Sequence, residues 1–131
     1  MILLLGGNGY VGRAFQRALE RHGCSFVALS RATCDYTRAG VLLQILQDQN
    51  PDFLINAAGY TGKPNVDACE RARAETLLGN VVLPQTISQA CSVTQTPWGH
   101  VSSGCIYNGA IVAGQIRSDL TEPDGQRLLE T

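Results

Sequence analysis

The sequence predicts an α/β fold built on a doubly wound parallel sheet, and three observations carry that reading. Short apolar runs alternate with amphipathic stretches at regular spacing. Glycine, proline or small polar residues close each run. The first run opens directly into a glycine-rich loop, and a helical pattern follows at once.

The elements follow in order. "ILLL" (2–5) is continuously apolar, as in a strand covered on both faces, and glycines stop it. Residues 10–23, "YVGRAFQRALERHG", place Val11, Phe15, Ala18 and Leu19 on one helical face, with Gly23 as the stop. "SFVALS" (25–30) is a second strand. Thr37 is the expected cap of a helix running to about Gln49, with Val41, Leu42, Ile45 and Leu46 as its apolar stripe. Pro51 ends that helix, and "DFLINAAG" (52–59) is a third strand running into small residues. A long helical stretch is predicted from Asn65 to Ser92, bent near Asn80 and Pro84. Asp67 and Glu70 fall in its first turn, where the helix dipole favours acidic side chains. "WGHVSS" (98–103) is the fourth strand. The whole chain, 1–131, reads as one nucleotide-binding domain, with an irregular tail over about 108–131 in which "TEPDG" is a turn.

Composition narrows the function classes. Ten basic and eleven acidic residues give a net charge of −1, and the arginines are scattered, so no nucleic-acid footprint is expected. The five cysteines, Cys24, Cys34, Cys69, Cys91 and Cys105, form no C-x-x-C pair and no zinc spacing with His22 or His100. No metal site is expected, and dispersed thiols suit a reducing cytoplasm. The opening "MILLLGGNGY" lacks a cationic flank and is interrupted by glycine, so neither a signal peptide nor a membrane span is expected there.

The loop "GGNGYVG" carries G-x-G-x-x-G as Gly7, Gly9 and Gly12, and G-x-x-G-x-x-G as Gly6, Gly9 and Gly12. Missing side chains admit a pyrophosphate to the backbone, and the helix N-terminus offers free N–H groups with partial positive charge. Gly12 lets the helix pack close to the strand. A plain strand-to-helix turn is the bland alternative. The second strand ends in Ser30 and Arg31, where an acidic residue would favour NAD(H). A hydroxyl followed by a guanidinium suits a ribose 2′-phosphate, so NADP(H) is expected ahead of NAD(H). A surface arginine opening a loop is the competing reading.

Five motifs in order, "GGNGYVG", "NAAGYTG", "PNVDACE", Asn80 and "SSGCIYNG", resemble those of the extended short-chain dehydrogenase/reductases. Within them the chain is most similar to the dTDP-4-dehydrorhamnose reductase branch and the nucleotide-rhamnose synthase epimerase-reductases. The resemblance implies a Rossmann-like sheet and a nucleotide-sugar substrate. It implies that Gly9, Tyr10 and Val11 belong to the dinucleotide loop, and that Ser30 stands at the ribose contact. Asp35 and Tyr36 match the pair against the adenine, and Ala58, Gly59 and Tyr60 the strand end on the nicotinamide side. Asn80 matches a helix asparagine supporting the site. Ser103, followed by Gly104, matches the serine or threonine of a Ser/Thr–Tyr–Lys constellation, where it would hydrogen-bond the reacting oxygen.

The tyrosine and lysine of that constellation are a Y-x-x-x-K pair, one helical turn apart. Four residues beyond Tyr10, Tyr36, Tyr60 and Tyr107 stand Ala14, Gly40, Pro64 and Ile111. The expectation is therefore a chain that stops before the catalytic helix and the substrate domain, without turnover of its own. The alternative is a non-catalytic nucleotide-binding regulatory subunit of the same fold. Lys63, the single lysine, lies in a loop matching a basic residue of the epimerase-reductases, either touching the sugar or its diphosphate or simply solvated. His22, His100 and Tyr107 read as structural. An exposed sheet edge makes a homo-oligomer a further expectation.

Overall fold

The computed structural model describes residues 1–102, 110–112 and 115–117. Residues 1–101 form one compact unit. In order along it come β1 (Ile2–Leu5), α1 (Tyr10–Arg21), β2 (Phe26–Leu29), α2 (Ala39–Gln49), β3 (Phe53–Asn56), α3 (Ala68–Arg71) and α4 (Arg73–Leu77). A π-helical turn (Leu78–Val82), α5 (Leu83–Thr94) and β4 (Trp98–His100) complete it. The four strands are all parallel, in the order β2-β1-β3-β4. This is a Rossmann-like α/β sheet.

Continuous apolar runs suit strands covered on both sides. Leu3, Leu4 and Leu5 are fully buried. Successive side chains alternate across a strand. Leu3 and Leu5 accordingly share a core with Leu42 and Leu46 of α2 and with Leu83, Ile87 and Cys91 of α5. Burial pushes the Cys91 thiol up to about 11. Leu4 points the other way. Leu19 of α1 is also buried but lies outside that cluster.

Three expectations change. Thr37 does not cap α2: its hydroxyl donates to Asp35 Oδ1, and the helix starts at Ala39 behind an extended Arg38. The helical stretch expected over 65–92 is segmented. Ala72 leaves helical geometry with ψ 56°, separating α3 from α4. Next, the π turn places Asn80 one residue out of helical phase just before α5, whose first turn holds Pro84 without an N–H to donate. Strand β4 ends at His100, not at residue 103.

The stretch 102–131 forms a second unit. Within it β5 (Ala110–Val112) pairs antiparallel with β6 (Gln115–Arg117), so a hairpin stands where the sequence pattern suggested only irregular chain.

Candidate functional site

The chain runs β1 to β2 on one side and then returns to place β3 on the other side of β1. In an open parallel sheet, such a switch point leaves a crevice beyond the carboxyl ends of the strands. The predicted glycine loop sits there.

Residues 6–9 make the whole connection from β1 to α1. Gly6 adopts φ +77°, and a Cβ on it would stand 2.6 Å from the Ala58 nitrogen. A Cβ on Gly12 would stand 2.1 Å from the Gly6 oxygen, so the first turn of α1 lies directly on the loop backbone. The loop is tied down by Gly7 N–H to Leu29 O at 3.0 Å, Gly9 N–H to Gly6 O at 3.0 Å, and Gln16 Nε2 to Gly7 O at 2.8 Å. The first bond into α1 runs from Arg13 N–H to Gly9 O at 2.9 Å. The N–H groups of Tyr10, Val11 and Gly12 precede it, no side chain caps them, and the first turn holds no acidic residue. That end of α1 is a set of aligned donors with partial positive charge. The side chain of Tyr10 is 86% exposed, so backbone rather than ring faces the loop.

At the end of β2, Ser30 and Thr33 lock each other. Ser30 N–H donates to Thr33 Oγ1 at 3.1 Å, and Thr33 Oγ1 donates to Ser30 O at 2.9 Å. This Ser-x-x-Thr turn holds Arg31 outward, exposed on the cavity wall. Tyr36 is fully buried beneath the loop. Burial raises its phenol above the ordinary 10.0, while the nearby Arg31 charge and a hydrogen bond with the Gly6 backbone pull it back.

Beyond β3, Asn56 is completely enclosed, and its Oδ1 accepts the Ala58 N–H at 3.0 Å. Asn80 reaches Tyr60 from the π turn by two bonds. Its Oδ1 accepts Tyr60 N–H at 2.8 Å, and its Nδ2 donates to Tyr60 O at 2.8 Å. Gly79 makes this approach possible, since a Cβ there would stand 3.0 Å from Tyr60 Cβ.

These pieces enclose two adjoining hollows. One of about 200 Å³ is lined by Gly6, Asn8, Gly9, Ser30, Arg31 and Tyr36, with Ala57, Ala58 and Gly59 behind them. One of about 400 Å³ runs on past Asp35 and Tyr60 to Glu75, Leu78 and Val82. Arg31, Ala58 and Gly59 border both. The predicted Gly6, Gly9, Ser30, Arg31, Asp35, Tyr36, Ala58, Gly59 and Tyr60 are thus brought together, with Gly12 and Asn80 holding the backbone behind them. Lys63 is exposed in the loop after Gly62 and lines neither hollow. Ser103, Gly104 and Tyr107 lie outside the described residues. No cluster of metal-ligating side chains occurs among the described residues. Among them, no helix is long and apolar enough to cross a membrane.

Reading the sequence missed Asn8, Thr33, Asn56, Glu75, Leu78 and Val82. Thr33 had a signal, its spacing from Ser30. Asn56 had a weaker one, a lone amide closing an apolar strand.

A family model described as "RmlD substrate binding domain" matches residues 1–127. The dTDP-4-dehydrorhamnose reductase of Burkholderia thailandensis is 33% identical over 125 residues, 93% of this chain and 40% of that protein. A trifunctional UDP-glucose 4,6-dehydratase/UDP-4-keto-6-deoxy-D-glucose 3,5-epimerase/UDP-4-keto-L-rhamnose-reductase of Arabidopsis thaliana is 30% identical over 105 residues, 80% of this chain and 15% of that protein. The chain therefore spans less than half the length of either relative. Among solved structures, a dTDP-4-dehydrorhamnose reductase from Bacillus anthracis in complex with NADP superposes with a TM-score of 0.65 at 21% identity. The match covers 74% of this chain and 34% of that one, and it shows the shared fold.

Proposed function

The chain belongs to the RmlD substrate binding domain family, and from that premise we propose that it forms the NADP(H)-holding part of a nucleotide-sugar reductase or epimerase/reductase. The substrate class is a 4-keto-deoxysugar nucleotide of the rhamnose type, as the relatives' names suggest. The observation that carries the reading is the glycine cradle. Side chains on Gly6 or Gly12 would collide with the backbone, and the aligned N–H groups of α1 open beside the smaller hollow.

The residues fit the group. Pyrophosphate lies against the N–H groups of α1, where bare glycine backbone allows close approach. Ser30 and Arg31 take the ribose 2′-phosphate, with Thr33 holding the turn. Asp35 and Tyr36 border the adenine, and Ala58, Gly59 and Tyr60 border the nicotinamide side. NADP(H), when bound, supplies the hydride for a sugar carbonyl. Ser103 and Gly104 belong to the substrate side, Ser103 hydrogen-bonding the reacting oxygen, and Lys63 contacts the sugar or its diphosphate from the rim. NADP in the Bacillus anthracis reductase supports NADP(H) over NAD(H). A cytoplasmic setting and self-association are part of the same proposal. No observation favours the regulatory-subunit alternative.

Calorimetric titration with NADPH and NADH tests this. NADPH is expected to bind 10- to 100-fold more tightly, the worth of roughly 1.5–3 kcal/mol for a charge-assisted contact. Arg31→Ala is expected to remove that preference. Equal affinities in the unmutated chain would overturn the cofactor assignment. With no Y-x-x-x-K pair in residues 1–131, an NADPH absorbance assay with this chain is expected to show binding without turnover.

A further inference from the structure

Asn56 is a fully buried polar side chain in an otherwise apolar strand, and both ends of its amide are used. The Ala58 N–H can only donate, so the atom 3.0 Å from it is Oδ1, which fixes the orientation of the amide. Nδ2 then faces Nδ1 of His100 on β4 at 3.0 Å. An amide NH2 offers no lone pair. Nδ1 is therefore the acceptor, and the ring proton sits on Nε2. Two backbone bonds close the same unit: Val101 N–H to Asn56 O at 3.0 Å, and Ala57 N–H to Leu5 O at 3.0 Å. The segment held in this way, Ala57–Gly59, lines the smaller hollow and is the surface on which Gly6 rests without room for a methyl group.

We infer that Asn56 and His100 form a positioning pair for the dinucleotide cavity: His100, protonated on Nε2, holds Asn56, and Asn56 holds the Ala58 amide. Neither side chain lines the hollow; both act through the backbone of β3's end. The chemistry explains why position 56 takes an amide. A leucine would leave the half-buried Ala58 N–H unpaired, and an unmade hydrogen bond there costs more than a made one contributes, while the exposed His100 would lose its tie to β3 and turn to water. A carboxylate would still accept from Ala58 but would demand a proton on Nδ1.

The test has one arm independent of the cofactor and one that rests on the proposed nucleotide binding. Long-range 1H–15N correlation of the imidazole rings, assigned with His22→Gln, is expected to show His100 with bare Nδ1 and protonated Nε2. A proton on Nδ1 would overturn the pair. In Asn56→Asp the proton is expected to move to Nδ1, and an unchanged ring would count equally against it. In the second arm, NADPH affinity is read by fluorescence titration. His100→Ala is expected to weaken binding about tenfold, and Asn56→Asp by no more than about threefold. Asn56→Leu with His100→Ala is expected to bind no more weakly than Asn56→Leu alone; additive losses would show that the two residues act separately. Should Asn56→Leu not fold, His100→Ala and Asn56→Asp still decide. Should the unmutated chain not bind NADPH, the nucleotide proposal fails, while the ring nitrogens still test the pair.

Discussion

Between β1 and α1 the chain turns in residues 6–9, while between β3 and α3 it takes residues 57–67 to reach the next helix. Both connections border the smaller hollow, the second alone runs on along the larger one, and they are held by different means. The first is held by its own backbone: Gly6 at φ +77°, Gly9 N–H on Gly6 O, and Gly12 pressed against that same oxygen. The second is held by side-chain amides, Asn56 beneath Ala58 and Asn80 taking both the N–H and the C=O of Tyr60. A cradle made of glycine fails when a side chain is added. A clasp made of amides fails when one is removed.

Substitutions can break that contrast. The largest effect is expected at Gly12→Ala, whose Cβ would stand 2.1 Å from a backbone oxygen. Alanine's helix preference of about 1 kcal/mol does not offset such a contact, and a loss of about 3 kcal/mol is expected from urea unfolding. Unchanged stability would mean the cradle yields easily.

A pH series comes next, because two buried groups hold their protons: Tyr36 under the cradle and Cys91 of α5 in the core. Both groups sit above their ordinary values in the folded chain, Cys91 at about 11 against 9.0. The neutral forms are favoured by folding. Their contribution is therefore complete below pH 9 and is lost as pH rises through the folded values. For Cys91 the loss is about 2 kcal/mol by pH 11. Cys91→Ala is expected to flatten the limb between pH 9 and 11 and to leave the Tyr36 limb above pH 10. An identical alkaline limb in the variant would remove Cys91 from the explanation.

Asn80→Leu is expected to cost about 1 kcal/mol, since the clasp is exposed and water replaces part of what is lost. Asn80→Asp keeps the bond to Tyr60 N–H but sets oxygen against Tyr60 O, and should be no better than leucine. The smallest effect on stability is expected at Gly9→Ala, about half a kcal/mol, because alanine is a poorer N-cap than glycine and its Cβ would meet only Gly6 O, at 3.3 Å. That variant separates folding from binding: NADPH affinity is expected to fall about tenfold while the unfolding midpoint hardly moves. A variant that binds as before would show that the dinucleotide does not approach the loop there.

The same contrast explains what could be read from sequence. The cradle is local, so "GGNGYVG" after an apolar run shows its strand, turn and helix directly. The stripe Val41, Leu42, Ile45 and Leu46 likewise identifies α2, although Asp35 diverts Thr37 from the cap. Asn80 reaches Tyr60 across twenty positions, and Asn56 is held by His100 across forty-four, and no periodicity encodes such pairings. Asn80 was reached through family resemblance, Asn56 not at all. The break at Ala72 has no glycine or proline to announce it. The hairpin of β5 and β6 had a faint signal, two residues including Gly114 between its strands, but three-residue strands give alternation little room to show.

The place of β1 in the sheet has a consequence for synthesis. Its four residues pair with Phe26–Leu29 on one side and with Phe53–Asn56 on the other. β1 is thus an inner strand made before both of its neighbours, and it stays half-paired until residues 53–56 emerge. An early nascent chain carries an apolar strand with one open edge, the kind of surface that holding chaperones cover. The glycine cradle shares that delay: Gly6 cannot settle against Ala57 and Ala58 until those residues have been made.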